Sequence, residues 1–299
     1  MRVLLTGGSG DLGRVLARLL RARGDTPMLF DPRPPVAEVE GWIRGDVRDR
    51  AALRGALVGN GCVVHIAAWH GIHEARGERD TDDFWDLNVT GTYNVFEAAV
   101  RAGLDRVVFL SSTSIDQPQT VYGHSKVLGE EIAGAYAARH GLRVLILRPR
   151  AFIPYWNRAV YADFAAWARW FWPGAVHIDD VGRAALAAVD WTDRAAAGSA
   201  ATVAIDGRYD YAPADLAAWD EAGPGTTFRR HYAAYEAVAR AHGLDPALKP
   251  AVVGSAAAAR VLGYAPTYGH GELLAELERW GAAGPPPPDF AARVSSGGS

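Results

Sequence analysis

Two side chains that can move a proton stand four residues apart, Tyr122 and Lys126. On a helix this spacing places both on one face. A lysine ammonium beside a phenol favours the phenolate and lowers the tyrosine pKa, which makes the tyrosine a usable general acid or base near neutral pH. A hydroxyl-rich run, Ser111 to Ser114, precedes the pair and follows an apolar stretch. The pattern indicates a site for proton transfer.

A second chemical pattern opens the chain, with Gly7, Gly10 and Gly13 between a short apolar run and an amphipathic stretch. A glycine-rich turn between a strand and a helix is the setting in which a dinucleotide binds. Glycine permits the tight turn and lets the backbone approach the pyrophosphate, whose charge then lies at a helix N-terminus. We therefore expect a dinucleotide here. An ordinary glycine-rich turn between strand and helix is the alternative.

Asp31 lies 18 residues past Gly13, at the end of a second apolar run. This is close to the spacing of the acid that binds the ribose hydroxyls. A carboxylate there accepts from the 2′-hydroxyl and repels a 2′-phosphate, so we expect NAD rather than NADP. Arg33 is the residue that could instead hold such a phosphate.

The elements that must position these residues alternate along the chain. We predict strands at 2–6, 26–31, 42–44, 62–66, 106–111 and 144–148, with helices at 11–23, 49–58, 84–102 and 123–140. Apolar, β-branched runs of this kind are typical of parallel strands covered by helices on both faces. Residues 1–150 therefore form a doubly wound α/β (Rossmann) domain, whose ligands gather at the carboxyl ends of the strands.

The second half of the chain is less regular. We expect residues 151–283 to form a smaller, mostly helical substrate lobe interleaved with the Rossmann core, with a short strand near Ala201 to Ile205 and a flexible tail at 284–299. Phe164, Trp167 and Phe171 recur at helical spacing, which predicts a helix packed on the core. The additional indoles, Trp156 among them, could instead form a platform for a sugar ring.

Composition narrows the class of protein. The 299 residues are 49% apolar and carry a formal charge of −3, which disfavours a nucleic-acid partner. The one cysteine, Cys62, falls within a predicted strand, so we expect no disulfides and a cytoplasmic protein. We find no signal peptide and no apolar stretch of bilayer length, and expect no membrane partner.

Several ordered motifs in residues 1 to 182 resemble the extended short-chain dehydrogenase/reductases, the NAD-dependent epimerase/dehydratase family. They are Thr6-Gly-Gly-Ser-Gly-Asp-Leu-Gly13, Gly45-Asp-Val-Arg-Asp49, His65-Ile-Ala-Ala68, Asn88-Val-Thr-Gly-Thr-Tyr-Asn-Val-Phe-Glu-Ala98, Leu110-Ser-Ser-Thr113, Tyr122-Gly-His-Ser-Lys126, Leu147-Arg-Pro149 and Val176-His-Ile-Asp-Asp-Val181. Their order and spacing are far more specific than any one motif.

The resemblance implies that Tyr122 exchanges a proton with a substrate hydroxyl while hydride passes between that carbon and the nicotinamide. It implies that Lys126 binds the nicotinamide ribose and lowers the tyrosine pKa. Thr113 aligns with the family's catalytic Ser/Thr, and Ser112 is the fallback. The implied cofactor contacts are Gly7, Gly10, Asp11, Leu12, Gly13, Asp31, Asp46, Val47, Ala67, Ala68, Ser111, Lys126 and Arg148. Asp46 would accept from the adenine amine, and Val47 would pack on its ring.

The chain departs from the family pattern on the substrate side. Thr113 and Tyr122 are only nine positions apart, which leaves little chain to cover a substrate. The segment from Arg150 to Asn157 replaces the usual pattern after the Arg-Pro. Both departures weaken a nucleotide-sugar assignment. We expect substrate contacts from His70, His73, Arg150 and Trp156. Two loop histidines without a third ligand rarely form a metal site, so we expect no metal.

We therefore expect NAD-dependent oxidoreduction at a secondary alcohol of a sugar or nucleotide-sugar, as in an epimerase or dehydratase that retains its NAD. The alternatives are a sugar or uronate dehydrogenase that releases NADH, a hydroxysteroid-type dehydrogenase, or a non-catalytic dinucleotide sensor. By analogy with the family, the helices near 84–102 and 123–140 would form a homodimer. Apolar residues such as Tyr93, Leu128 and Ile132 would face the partner or the sheet.

Overall fold

The structure, a computed structural model, describes residues 1–35 and 41–290. Seven strands form one parallel sheet: β1 (Arg2–Thr6), β2 (Thr26–Asp31), β3 (Trp42–Arg44), β4 (Cys62–His65), β5 (Arg106–Leu110), β6 (Arg143–Pro149) and β7 (Ala200–Ile205). Their order across the sheet is β3-β2-β1-β4-β5-β6-β7. The strand predicted near Ala201 is the last of these, and it extends the sheet beside β6.

Helices cover both faces of the sheet and form the C-terminal lobe. They are α1 (Asp11–Ala22), α2 (Arg50–Leu57), α3 (Gly71–Ala75), α4 (Thr81–Phe84), α5 (Gly91–Arg101), α6 (Val121–His140), α7 (Phe164–Phe171), α8 (Ile178–Arg194), α9 (Pro213–Ala217), α10 (Thr226–Tyr232), α11 (Glu236–Ala241), α12 (Ala256–Leu262) and α13 (His270–Trp280). In the part of the chain that the structure describes, no helix combines the length and the apolarity needed to cross a membrane.

The sheet has an apolar core on each face because successive strand side chains point to opposite sides. Val3 and Leu5 of β1 pack among residues of α1 and α8, whereas Leu4 between them packs among residues of α2, α5 and α6. All three are fully buried. This is the doubly wound α/β fold that the sequence predicts.

The strand order reverses at β1, which lies between β2 and β4. In open α/β sheets, ligands bind outside the carboxyl ends of the strands at such a point. Thr6 is the last residue of β1 and His65 is the last residue of β4, and the two are paired in register. The Thr6 hydroxyl lies 2.7 Å from Nδ1 of His65. The chain segments after β1 and β4 therefore leave the sheet side by side and form the walls of one cleft.

The helix predicted at 84–102 is interrupted. The structure has α4, then a π-helical turn over Trp85–Thr90, and then α5. The amide of Asn88 within that turn binds the backbone of Trp69, accepting from its N–H at 2.7 Å and donating to its carbonyl at 3.0 Å. Such turns commonly mark functional sites. Here the turn ties the helix to the segment that follows β4.

Beyond β6 the chain divides between two layers. Helix α8 packs on α1, and α12 packs on α8 and β7. The elements α8, β7 and α12 therefore belong to the sheet domain. A separate aromatic core, with Phe164, Trp167 and Phe171 of α7 at its centre, joins α7 to α10, α11 and α13. The helical spacing of these three residues thus reflects core packing, as predicted.

The tail differs from the prediction in its described part. The Tyr155 hydroxyl donates to the Pro286 carbonyl at 2.9 Å. The Phe290 ring packs edge-on against Trp156 and lies 4.5 Å from the Arg14 guanidinium. In this part of the tail, Pro286 therefore contacts Tyr155, and Phe290 covers the indole of Trp156. The remainder of the predicted tail, 291–299, lies outside the described residues.

Candidate active site

The glycine-rich turn packs too closely for larger residues. Gly7 has φ +68°, and a Cβ built on it would lie 2.9 Å from the backbone nitrogen of Ala67. A Cβ on Gly13 would lie 2.5 Å from the Gly8 carbonyl oxygen. Gly7 and Gly10 line a cleft of about 850 Å³ at the start of α1, and Gly13 lies behind them against Gly8. The unpaired N–H groups of a helix N-terminus suit an anion such as a pyrophosphate.

Asp31 lies buried at the end of β2 and lines the same cleft. Its carboxylate accepts from the backbone N–H of Arg33 at 2.9 Å and of Ser9 at 3.2 Å. The Arg33 side chain is largely exposed, and its Nε lies 3.6 Å from the same carboxylate. Asp31 is thus held in place where a ribose would lie, while Arg33 already faces an anionic partner.

The predicted contacts Asp46, Val47, Ala67 and Ala68 also line the cleft. Arg48 donates from Nε and Nη2 to the two oxygens of Asp46, at 2.9 and 2.7 Å. These hydrogen bonds hold the pKa of Asp46 below its usual value. The carboxylate is therefore ionised but already partly engaged, and Val47 offers the apolar surface beside it.

Tyr122 faces the cleft from the first turn of α6, with Ser112 close to its hydroxyl. Burial raises the pKa of the Tyr122 phenol to about 12, and the nearby Ser112 side chain opposes this rise. In this structure the pKa is therefore not lowered as expected, because burial dominates and the Lys126 ammonium is directed to the Leu110 carbonyl.

Lys126 is only 5% exposed and donates from Nζ to the Leu110 carbonyl at 2.8 Å. Its ammonium lies 5.8 Å from the centre of the Tyr122 ring. Burial lowers the pKa of Lys126 to about 8, and the nearby Glu130 carboxylate opposes the change. The pair predicted from the sequence is therefore brought together, with the lysine beneath the tyrosine.

Ser112 and not Thr113 lines the cleft. Thr113 begins a 3₁₀ turn, Thr113–Asp116, that Ser112 caps by accepting from the Ser114 N–H at 3.0 Å. This turn carries the Thr113 side chain away from the cleft. The family alignment put Thr113 first, and the backbone geometry reverses that order.

Two predicted cofactor contacts, Ser111 and Arg148, are engaged by Glu130 of α6. The Ser111 hydroxyl donates to this carboxylate, and Arg148 donates to it from Nε at 2.8 Å. Ser111 still lines the cleft, but Arg148 does not. The prediction for Arg148 is corrected, because its guanidinium forms an ion pair behind the cleft.

Of the predicted substrate residues, His70 and His73 line the cleft near Tyr122. Arg150 also lines it, but its guanidinium donates to the Tyr209 hydroxyl at 3.0 Å and lies 3.5 Å from the Asp206 carboxylate. Trp156 does not line it. The prediction for Trp156 is corrected, since its indole contacts Asp11 and Phe290 outside the cleft.

Asp11 is placed differently from a simple cofactor contact. It lines the cleft together with Leu12, but its carboxylate faces Arg14, Trp156 and Asn157. Its oxygens are therefore engaged by protein side chains.

The sequence reasoning missed several residues that line the substrate end: Trp69, Arg79, Phe152, Ile153, Asn157 and Val160. The Arg79 guanidinium lies 4.1 Å from the centre of the Trp69 ring, which fixes both side chains. Only their position in the chain could have identified these residues, because they lie in the segments that follow β4 and β6. Within residues 1–35 and 41–290, no group of three His, Cys, Asp or Glu side chains is arranged to hold a metal ion.

Comparison with known proteins agrees with this geometry. Residues 3–158, more than half of the chain, match the model of the NAD dependent epimerase/dehydratase family. The L-arabinose 1-dehydrogenase (NAD(P)(+)) of Haloferax volcanii is 35% identical over 175 residues, which cover 49% of this chain and 65% of that protein. The uronate dehydrogenase of Pseudomonas putida is 30% identical over 174 residues, or 51% of this chain and 62% of the relative. The match thus spans less than two thirds of either relative.

The solved structure of MoeE5 in complex with UDP-glucose and NAD is similar over a longer range. It has a TM-score of 0.68 and 25% sequence identity, and the match covers 94% of this chain and 98% of that one. The ordered motifs, the sheet order and the family match lead to one conclusion. The chain belongs to the NAD-dependent epimerase/dehydratase family.

Proposed function

We propose that the protein transfers hydride between NAD and the carbon of a secondary alcohol in a small sugar or sugar acid. The observation that carries the proposal is the placement of Ser112 and Tyr122 in the cleft that begins at the glycine-rich turn, with the buried ammonium of Lys126 5.8 Å from the centre of the Tyr122 ring. A cleft of this size with a few convergent polar groups is typical of a small-molecule site.

The cleft fits NAD in its chemistry. The close contact of Gly7 with Ala67 leaves the turn free of side chains, and Asp31 offers a buried carboxylate where a ribose diol would lie. Because Arg33 is paired with Asp31, a 2′-phosphate would meet a carboxylate first, which favours NAD over NADP. NAD, when bound in this cleft, would supply a hydride acceptor and a positive charge.

Tyr122 and Ser112 handle the proton in this proposal. With a pKa near 12 the phenol is protonated at neutral pH, so it can donate to a carbonyl oxygen during reduction. Oxidation of an alcohol requires the phenolate, which positive charge in the cleft stabilises. Ser112 lies beside the phenol and can hydrogen-bond the same substrate oxygen. Lys126 keeps a cationic group 5.8 Å from the centre of the Tyr122 ring.

One observation favours a free sugar over a nucleotide-sugar. Arg150, the basic residue best placed after β6 to meet a diphosphate, is bound to Tyr209 and Asp206. The side chains that remain at the substrate end include His70, His73, Arg76 and Arg79, which suit hydroxyl or carboxylate oxygens. The similarity to L-arabinose and uronate dehydrogenases supports the same choice. An epimerase or dehydratase acting on a nucleotide-sugar is the second candidate, supported by the likeness to MoeE5.

The first experiment asks whether the purified protein retains a nucleotide, by absorbance and mass spectrometry. Retained NAD would support the epimerase or dehydratase, and an empty protein that binds NAD reversibly would support the dehydrogenase. NADH formation at 340 nm is then measured with L-arabinose, D-glucuronate and UDP-glucose. Tyr122→Phe should abolish turnover while leaving NADH affinity within about twofold, since it removes only the proton-transfer group. Full activity in that variant would refute the catalytic assignment.

We also propose a homodimer through α5 and α6. Tyr93 of α5 is 38% exposed and Trp85, just before it, is 52% exposed. Exposed aromatic side chains of this kind are common in interfaces. Light scattering of the purified protein at several concentrations tests the proposal, and Trp85→Ala should shift the equilibrium toward monomer. A monomer at all concentrations would contradict it.

A further inference from the structure

We propose that Glu74 is a positioning residue, which holds Tyr122 in register with the segment 69–76 that lines the substrate end of the cleft. The inference rests on the proposed function, because it concerns the orientation of the tyrosine assigned as acid and base. It concerns a side chain that does not itself line the cleft.

The geometry begins at the N-terminus of α6. The first N–H groups of a helix have no partner within the helix. Glu74 supplies both partners here, because its two carboxylate oxygens accept from the N–H groups of Val121 and Tyr122, each at 2.8 Å. Thr120 caps the next donor locally, accepting from the Gly123 N–H at 3.0 Å. A carboxylate from α3 thus completes the first turn of the helix that carries Tyr122.

The two hydrogen bonds between Glu74 of α3 and the first turn of α6 are strong for chemical reasons. Hydrogen bonds to an ionised carboxylate are stronger than those between neutral groups. Negative charge at a helix N-terminus is also favoured by the helix dipole. Water could replace the two acceptors, but it would not join α3 to α6.

Packing makes the link directional. A Cβ built on Gly71 would lie 3.2 Å from Cδ1 of Tyr122, so the backbone of α3 rests directly on the phenol ring. His70 lies on the same side, with its ring centre 6.4 Å from that of Tyr122. One short segment therefore contacts the ring of Tyr122, binds its backbone through Glu74 and presents histidines to the cleft. A shift of the segment must move the tyrosine relative to the substrate.

The departure noted in the sequence gives this segment its importance. Only eight residues join Thr113 to Tyr122, and some of them form the tight 3₁₀ turn. The cleft lining beside Tyr122 therefore comes mainly from the segment 69–76, since Ser114 is the one residue between Thr113 and Tyr122 that lines the cleft. Proton transfer depends on how this segment holds the substrate relative to Tyr122, and misplacement by about 1 Å can reduce a rate by roughly 100-fold.

The test compares Glu74→Ala and Glu74→Gln with the wild type and with Glu278→Gln. The control removes the same charge from an exposed position on α13. Amide hydrogen exchange at Val121 and Tyr122 reports the link itself, in the free protein and with NADH. Kinetics with L-arabinose and D-glucuronate, the Kd of NADH and the Tm report its consequences.

In Glu74→Ala we expect faster exchange at Val121 and Tyr122 and a fall in kcat/KM of roughly 10- to 100-fold. The Kd of NADH should stay within about twofold, because the glycine-rich turn and Asp31 are not altered. Glu74→Gln should be intermediate, since its amide oxygen can accept one of the two hydrogen bonds. Glu278→Gln should match the wild type.

Unchanged exchange in Glu74→Ala would overturn the inference. A parallel loss of Tm, NADH affinity and activity would also overturn it, because the residue would then only support the fold. If the wild type oxidises neither sugar and no other alcohol substrate is found, the proposed function fails. Faster exchange at both amides, with unchanged NADH affinity, would still support the link between α3 and α6.

Discussion

The indole Nε1 of Trp156 lies 3.4 Å from Oδ1 of Asp11, and Nδ2 of Asn157 lies 3.3 Å from Oδ2 of the same carboxylate. Asp11 is the first residue of α1, directly after the glycine-rich turn. The segment after β6, which forms part of the substrate wall, is therefore fastened to the turn where the pyrophosphate is expected. The Asp11 carboxylate therefore connects the glycine-rich turn at the cofactor end of the cleft to the segment that lines its substrate end.

Trp156→Phe tests this connection because it keeps an aromatic ring against Phe290 and removes the indole N–H together with one ring of the indole. Loss of one hydrogen bond is worth about 1 kcal/mol, so we expect the Kd of NADH to rise by up to about fivefold with little change in Tm. Fluorescence titration with NADH measures it. Trp280→Phe, on the surface of α13, is the control. Equal affinities in all three proteins would show that the contact does not order the turn.

Ser112→Ala and Thr113→Ala should differ strongly in kcat. Ser112 lies beside the Tyr122 hydroxyl, whereas Thr113 is outside the cleft. We expect Ser112→Ala to lower kcat by roughly 100-fold, as removal of a hydrogen-bond donor at a reacting oxygen commonly does, and Thr113→Ala to stay within about threefold. The opposite ranking would mean that the 3₁₀ turn rearranges when substrate binds.

Asp31→Asn should change cofactor preference. The substitution keeps the side-chain size but removes the charge that repels a 2′-phosphate, and Arg33 then loses its anionic partner. We expect the ratio of kcat/KM for NAD to that for NADP to fall by about tenfold, which corresponds to about 1.4 kcal/mol. Comparison of initial rates with both cofactors gives the ratio. An unchanged ratio would place the source of NAD preference elsewhere in the cleft.

Lys126 should reduce stability at neutral pH. Burial lowers its pKa from 10.5 to about 8, so the folded protein gives up this proton more readily than the unfolded chain does. The cost is complete below about pH 8, and stability is regained as the pH rises from about 8 to 10.5. A shift of this size corresponds to ~3 kcal/mol.

Lys126→Met should therefore unfold at higher urea concentration than the wild type at pH 7, and the difference should shrink by pH 10. Urea titrations of both proteins at the two pH values measure it. A difference that does not change with pH would show that the ammonium is not the destabilising group.

Much of the fold follows from local pattern. Short apolar runs such as Cys62–His65 are recognisable as buried strands because both faces of a parallel strand must be apolar. Gly7, Asp31, Tyr122 and Lys126 could be found because each is constrained by chemistry that acts over a few residues. Of these, Gly7, Asp31 and Tyr122 line the cleft, and Lys126 lies buried near the Tyr122 ring.

The departures arise where a distant partner decides. Arg148, Trp156 and Asp11 were assigned to ligands, yet Glu130 binds the first, and the other two bind each other. The break in the helix at Trp85–Thr90 accompanies the contact of Asn88 with Trp69, 19 residues away. No local pattern specifies which of several polar groups will meet.

The sequence by itself determined the doubly wound sheet, the glycine-rich turn and the Tyr122–Lys126 pair, because strand burial, positive φ and helical spacing are short-range properties. Only the tertiary structure decided that Ser112 faces Tyr122, that Glu74 caps the helix of Tyr122 and that the Tyr122 pKa is raised. Burial and hydrogen-bond partners depend on segments far apart in the chain. The energy of a charged or polar group is therefore set by the completed fold.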